Sequence, residues 1–137
     1  MTKKVIAIVD DDDSVRQAIS SLLRSFGYAA VAFDSGAALL KSDARRTLSC
    51  LIADLQMRGM SGIELHQRLI ASGERVPTIL ITAYPDETGR ERALRAGVRC
   101  YLTKPFSAGE LLACIASVLE HTSRERDEPL DQTGSVN

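Results

Sequence analysis

Apolar residues along this chain fall into two alternating patterns. Continuous runs rich in β-branched residues stand at Val5-Ile6-Ala7-Ile8-Val9, Cys50-Leu51-Ile52-Ala53 and Thr78-Ile79-Leu80-Ile81. A short run that is apolar at every position reads as a strand covered on both faces. With two weaker runs, the predicted strands are residues 4–10, 28–33, 48–54, 77–82 and 99–103. Between and after them the apolar spacing becomes helical, which predicts helices at 14–26, 36–43, 62–72, 87–96 and 108–120. In the first, Val15, Ala18, Ile19, Leu22, Leu23 and Phe26 recur on one face. The third is expected to bury Ile63, Leu65, Leu69 and Ile70, and the fifth Leu111, Leu112, Ile115, Val118 and Leu119.

Start signals accompany four of these helices. Ser14 with Gln17, Ser61 with Glu64, Thr88 with Glu91, and Ser107 with Glu110 have the spacing of a capping box. Gly27 and Gly97 stand where a helix ends in a left-handed residue. The second helix, around Ala37-Ala38-Leu39-Leu40, is short. Strict alternation of strand and helix implies an α/β fold: a doubly wound, five-stranded parallel sheet with helices on both faces. Right-handed crossovers leave a few strand orders, among which the pattern alone does not choose. The flavodoxin-like order 2-1-3-4-5 would make strands 1 and 3 neighbours.

That neighbour relation matters because aspartates end both strands. Asp10 and Asp11 close the first run and Asp54 closes the third. Carboxylates at the C-terminal rim of an open α/β sheet lie where such folds bind ligands. Two of them about 4 Å apart repel by roughly 4 kcal/mol at a near-surface dielectric. Something positive must answer them, and an all-oxygen site suits a hard cation such as Mg2+. The same rim receives Thr82 from strand 4 and Lys104 from strand 5. A cation, a hydroxyl and an ammonium together suit a phosphoryl group.

Composition excludes several classes. The chain has 137 residues, enough for one domain with a single core. Its net charge of -1 gives no overall pull toward nucleic acid or an anionic membrane. No apolar run approaches the ~20 residues of a membrane span, and the N-terminus has no signal-peptide pattern, so the cytoplasm is the expected compartment. Cys50, Cys100 and Cys114 are odd in number and form no C-x-x-C pair, so they read as core residues rather than as a disulfide or zinc site. Residues 121–137 turn polar and read as a tail or linker after a folded unit of 1–120.

The constellation resembles the receiver domain of two-component response regulators. The matching residues are the acidic pair in Ile8-Val9-Asp10-Asp11, Asp54 in Ile52-Ala53-Asp54-Leu55, the turn Met60-Ser61-Gly62, Thr82-Ala83, and Lys104-Pro105-Phe106. The run from Val9 to Arg16 is most similar to the FixJ-type and NtrC-type branches, and the resemblance covers residues 4–120. It implies that Asp54 is the phosphoacceptor, receiving a phosphoryl group from a sensor histidine kinase, a phosphotransfer protein or a small donor. It implies Mg2+ held by Asp11 directly, Asp10 mainly through water, Asp54, and the backbone carbonyl of Gln56, whose side chain would tune hydrolysis. Thr82 would bind the phosphoryl oxygen and Lys104 would pair with the phosphate or with Asp54. Tyr101 would be an aromatic switch that follows Thr82, and Lys104-Pro105 would be cis. Phosphorylation would reshape the face made by helix 4, strand 5 and helix 5 for a partner, often a second receiver. Self-phosphorylation and self-dephosphorylation would be the only catalysis. The chain departs from the family at Arg58, where proline is common; arginine is expected to loosen the loop and add positive charge near the pocket.

Plainer readings stand beside these. Asp12 and Asp13 suit the N-terminus of helix 1. Tyr101 also fits an ordinary half-buried strand aromatic. Arg90, Arg92 and Arg95 read either as a solvated helix face or as a recognition surface. His66 and His121 are isolated and read as surface residues. Three other functions fit the residues less well. An aspartyl phosphatase of the haloacid-dehalogenase type would need a second acid where Gln56 stands. A nucleotide binder would need a phosphate-cradling loop where Asp10 to Asp13 stand. A pure interaction module would not need an intact acidic pocket. The segment is either a stand-alone receiver or part of a longer regulator, and it carries no DNA-binding unit of its own.

Overall fold

The computed structural model describes residues 3–127, with side chains as far as 120. Strands β1 (Val5–Val9), β2 (Ala29–Phe33), β3 (Cys50–Asp54), β4 (Thr78–Thr82) and β5 (Cys100–Thr103) form one parallel sheet in the order β2-β1-β3-β4-β5. Helices α1 (Asp13–Ser25), α2 (Gly36–Leu40), α3 (Gly62–Ala71), α4 (Glu87–Arg95) and α5 (Ala108–Asp127) connect or follow the strands. The expected order 2-1-3-4-5 is the one found. A 3-10 turn at Asp43–Arg46 replaces the last part of the predicted second helix.

The period of two in each strand divides the core. Ala7, Val9, Leu51, Ala53 and Leu80 face one side, with Leu39, Ile63, Leu65, Leu69 and Ala93 from α2, α3 and α4. Ile6, Ile8, Cys50, Ile52, Ile79 and Ile81 face the other, with Ile19, Leu23, Leu111, Ile115 and Val118 from α1 and α5. Each fully buried aliphatic contributes about 1.5–3 kcal/mol. Burial on both faces explains why β1, β3 and β4 read as continuous apolar runs.

Several local expectations are corrected. The N-cap of α1 is Asp12, not Ser14; its carboxylate accepts the N–H groups of Ser14 at 2.9 Å and Val15 at 3.3 Å. Asp86, not Thr88, caps α4 by accepting the N–H of Gly89. In both places an aspartate two residues upstream competes with the hydroxyl for the cap. Ser61 and Ser107 do cap as expected, and Ser107 with Glu110 makes both bonds of the box, at 2.8 and 3.0 Å. Phe26 is the residue after α1 rather than part of its buried stripe, and it is 60% exposed. Ile70 is also exposed, and His66 takes the buried place on α3. Helix α5 continues through Asp127, past the expected end at 120. No glycine or proline interrupts 121–127, and Pro129 follows. The rest of the expected tail, 128–137, lies outside the described residues, as does any side-chain placement of His121.

Candidate functional site

The parallel sheet brings the C-terminal ends of its strands to one rim. Adjacency of β1 and β3 puts Asp10, one residue past β1, beside Asp54, the last residue of β3. Both are buried, Asp10 completely. Lys104, one residue past β5, reaches across the end of β4. Its Nζ lies 2.8 Å from Oδ2 of Asp54 and 3.2 Å from Oδ2 of Asp10. The second oxygen of each carboxylate accepts a backbone N–H: Asp12 at 2.9 Å for Asp10, Gln56 at 2.9 Å for Asp54. The cis Lys104-Pro105 peptide follows directly.

This geometry sets the charges. Burial pushes the Asp10 carboxyl above its ordinary value, against the pull of the Asp12 N–H and Lys104. Burial would lower Lys104, but its hydrogen bonds to Asp54 and Asp10 outweigh that and hold the ammonium above its ordinary value. The positive charge that answers the acidic pair is therefore a lysine of the chain itself.

Asp11 does not join the pair. Its Oδ2 accepts the backbone N–H of Arg58 at 3.3 Å, with the Arg58 Nε at 3.7 Å. The expectation for Arg58 is thereby sharpened. A proline there would have no N–H to give, whereas Arg58 ties the β3–α3 loop to Asp11 instead of merely loosening it. Among the described residues no three acidic, histidine or cysteine side chains stand together as a metal-holding group. The donor chemistry is nonetheless all oxygen, the kind a hard divalent cation takes. Asp11 would have to turn from Arg58 to complete such a set.

Thr82 ends β4 and is fully buried. Its hydroxyl accepts the Tyr84 N–H at 3.0 Å and donates to Oε1 of Gln56 at 2.6 Å. Tyr101 sits on β5 beside Leu80, with its hydroxyl buried and without a hydrogen-bond partner among the described residues. Gly62 shapes the floor: a Cβ there would stand 2.6 Å from the Asp54 carbonyl oxygen and 2.7 Å from Leu80. Only glycine lets α3 start this close to the end of β3.

Sequence reading missed three contributors. Arg16 donates to the Asp10 carbonyl at 2.6 Å and pairs with Asp13 at 2.9 Å, so α1 braces the acidic turn. Its spacing to Asp13 was the available signal. Asp86 was masked by Thr88. His66 is not a surface residue: Nδ1 lies 2.8 Å from the Thr78 hydroxyl and Nε2 2.9 Å from the Ala96 carbonyl. Arg95 pairs with Glu91 at 3.8 Å on an exposed face, as the solvated reading of α4 expects. Arg92 lines a cavity of about 270 Å³ with Gln56, Ser61 and Asp86. The cysteines are free, Cys50 buried and the others half-buried, and burial raises the Cys50 and Cys114 thiols to about 12.

Comparison with known proteins places this geometry. Residues 6–116 match the model of the response regulator receiver domain. The response regulator protein TodT of Pseudomonas putida is 38% identical over 122 residues, 89% of this chain and 54% of that protein. TmoT of Ectopseudomonas mendocina is 36% identical over 125 residues, 91% of this chain and 57% of that protein. The chain thus spans little more than half of these relatives. The crystal structure of FixJ-N superimposes with a TM-score of 0.79 at 31% identity, covering 88% of this chain and 97% of that one.

Proposed function

Because the chain belongs to the response regulator receiver domains of two-component systems, we propose that it is a phosphorylation-controlled switch with Asp54 as the phosphoacceptor. An oxygen of Asp54 attacks the phosphorus of a phosphohistidine on a sensor kinase or phosphotransfer protein. The P–O bond forms as the P–N bond breaks, and the imidazole leaves with the electron pair and takes up a proton. The observation that carries this reading is the Lys104 ammonium seated between two buried carboxylates, 2.8 Å from Asp54. It offsets the negative charge that the incoming phosphoryl group adds.

Asp10, Asp11, Asp54 and the Gln56 carbonyl are the residues that would hold Mg2+. When bound, the ion supplies charge neutralisation at the phosphoryl oxygens. Thr82 donates its hydroxyl proton to a phosphoryl oxygen, and Lys104 shifts its pairing from Asp54 to the phosphate. Thr82 drawn toward the phosphoryl group frees space behind it, which favours the buried position of Tyr101 over the exposed one; in this structure the Tyr101 hydroxyl is already buried. That change reshapes the face of α4, β5 and α5, which binds a partner, often a second receiver. This is a population shift biased by contacts made in one conformer. The receiver unit takes in α5, which continues through Asp127 past the expected boundary at 120; the rest of the expected linker lies outside the described residues. Among the described residues no helix is long and apolar enough to cross a membrane. The compartment we propose is the cytoplasm, with no direct nucleic-acid contact by this segment. Apart from its own phosphorylation and dephosphorylation the chain turns over no substrate.

The test is incubation with Mg2+ and acetyl phosphate followed by intact mass. The wild type is expected to gain one phosphate and Asp54→Asn none. Equal labelling of the two would remove Asp54 from its role.

A further inference from the structure

Thr82 carries one hydroxyl proton, and in this structure that proton goes to Gln56 Oε1 at 2.6 Å. The lone-pair side of the same oxygen is held by the Tyr84 N–H at 3.0 Å. A hydroxyl so placed cannot also donate to a phosphoryl oxygen. We propose that the Gln56 carboxamide is a latch on Thr82: phosphoryl capture at Asp54 requires the Thr82 proton to be released from Gln56 first. The inference rests on the phosphoacceptor reading above and adds to it a positioning residue.

Three features support a latch. Gln56 is anchored at its base, since its backbone N–H is bonded to Asp54 Oδ1 at 2.9 Å. Its backbone therefore reports directly on the acceptor carboxylate while its side chain reports on Thr82. The side chain is exposed, whereas Thr82 is fully buried. The movable half of the pair is thus the glutamine. It also has somewhere to go: it lines the 270 Å³ cavity in the company of Ser61, Asp86, Thr88 and Arg92. Those hydroxyl, carboxylate and guanidinium groups offer replacement hydrogen bonds once Thr82 lets go. The latch sets how much of the binding free energy of the phosphoryl group is spent on breaking an existing bond, and so sets the threshold of the switch.

The experiment uses beryllofluoride with Mg2+ as the phosphoryl analogue, its bound and free forms resolved by 19F NMR. Four proteins are titrated: wild type, Gln56→Leu, Thr82→Val, and the double variant. Gln56→Leu is expected to bind the analogue about threefold to tenfold more tightly than wild type, the span of one net hydrogen bond. In the Thr82→Val background the same change is expected to have no effect, because the latch has lost its bolt. Unchanged or weaker binding by Gln56→Leu, or an equal gain in the Thr82→Val background, overturns the latch. Failure of the wild type to take up beryllofluoride at all, with no adduct from acetyl phosphate, overturns the phosphoacceptor reading instead. Circular dichroism of Thr82→Val establishes that its sheet is intact. A variant that loses the sheet is replaced by Thr82→Ala, to which the same two outcomes apply.

Discussion

Two buried polar clusters stand on opposite sides of the midpoint of the sheet, and they are built on different principles. At the C-terminal rim two acids, Asp10 and Asp54, share one ammonium, so acidic groups outnumber basic ones in that cluster. Toward the other end, His66 joins α3 to Thr78, the first residue of β4, and to Ala96 at the end of α4. There the imidazole meets a hydroxyl and a carbonyl, with donor and acceptor needs matched. Burial lowers its pKa from the ordinary 6.5, against the pull of the Ala96 carbonyl, so it is neutral near pH 7. The first cluster has two acids to one base, the imbalance on which the proposed phosphoacceptor reading draws. The second is balanced and acts as a staple between layers. Burial of polar atoms alone therefore does not mark a reactive site; unbalanced charge held by fixed partners does.

The comparison breaks most visibly at Lys104. Lys104→Met leaves Asp10 and Asp54 without their shared cation. Breaking a buried pair typically costs about 3–5 kcal/mol, and Lys104 keeps 21% of its side chain in water, which reduces the expected loss to about 2 kcal/mol. Urea unfolding at pH 7 measures it. Acetyl phosphate labelling, followed by mass, is expected to fall at least tenfold. A variant as stable as wild type would show that the acidic pair does not need this lysine.

His66→Ala is expected to lose about 2 kcal/mol, from the lost packing of a buried ring and the lost bond to the Ala96 carbonyl; the Thr78 hydroxyl keeps the Val76 carbonyl at 3.2 Å. Here the labelling rate is expected to stay within about twofold of wild type, since no atom of the rim is touched. A labelling defect as deep as that of Lys104→Met would dissolve the distinction between the clusters.

Much of this contrast was legible in the sequence, and the illegible part has a physical cause. Asp10, Asp54, Thr82 and Lys104 stand at or just past strand ends, and the C-terminal ends of a parallel sheet share a rim, so the runs were enough to bring them to one edge. The strand order that makes β1 and β3 neighbours was not fixed by the pattern of runs. Asp11 was expected beside Asp10 and Asp54; its partner here is the N–H of Arg58, a backbone group that no side-chain pattern reports. The caps Asp12 and Asp86 were hidden by nearby hydroxyls with equally good spacing. His66 was missed because it has no polar companion nearby in sequence, although it stands three residues from both Ile63 and Leu69 on the buried face of α3; its partners Thr78 and Ala96 are distant in sequence.

The staple also predicts a pH dependence. His66 has a folded-state pKa below its unfolded value of about 6.5. The unfolded chain then binds the proton first, so this residue contributes stability above pH 6.5 that is lost as pH falls from 6.5 through the folded pKa. Unfolding midpoints at pH 7.5 and 5.5 are expected to differ more in wild type than in His66→Gln, which keeps polar atoms on the ring site but does not titrate. Equal differences would mean that His66 does not gain a proton on unfolding.

The smallest effect expected is at Arg58, and it separates backbone from side chain. The guanidinium is 91% exposed and 3.7 Å from Asp11, a contact of the kind that water screens almost completely. The N–H at 3.3 Å is donated by the main chain, which does not lose side-chain entropy in forming it. Arg58→Ala keeps the N–H and is expected to leave Mg2+ affinity, measured by calorimetry, within about twofold of wild type. Arg58→Pro removes the donor and also narrows the loop's unfolded conformations. It is expected to release Asp11 and to tighten Mg2+ binding by about threefold, the lower range of one lost hydrogen bond. A larger effect from alanine than from proline would mean that charge, not the backbone bond, holds Asp11 aside.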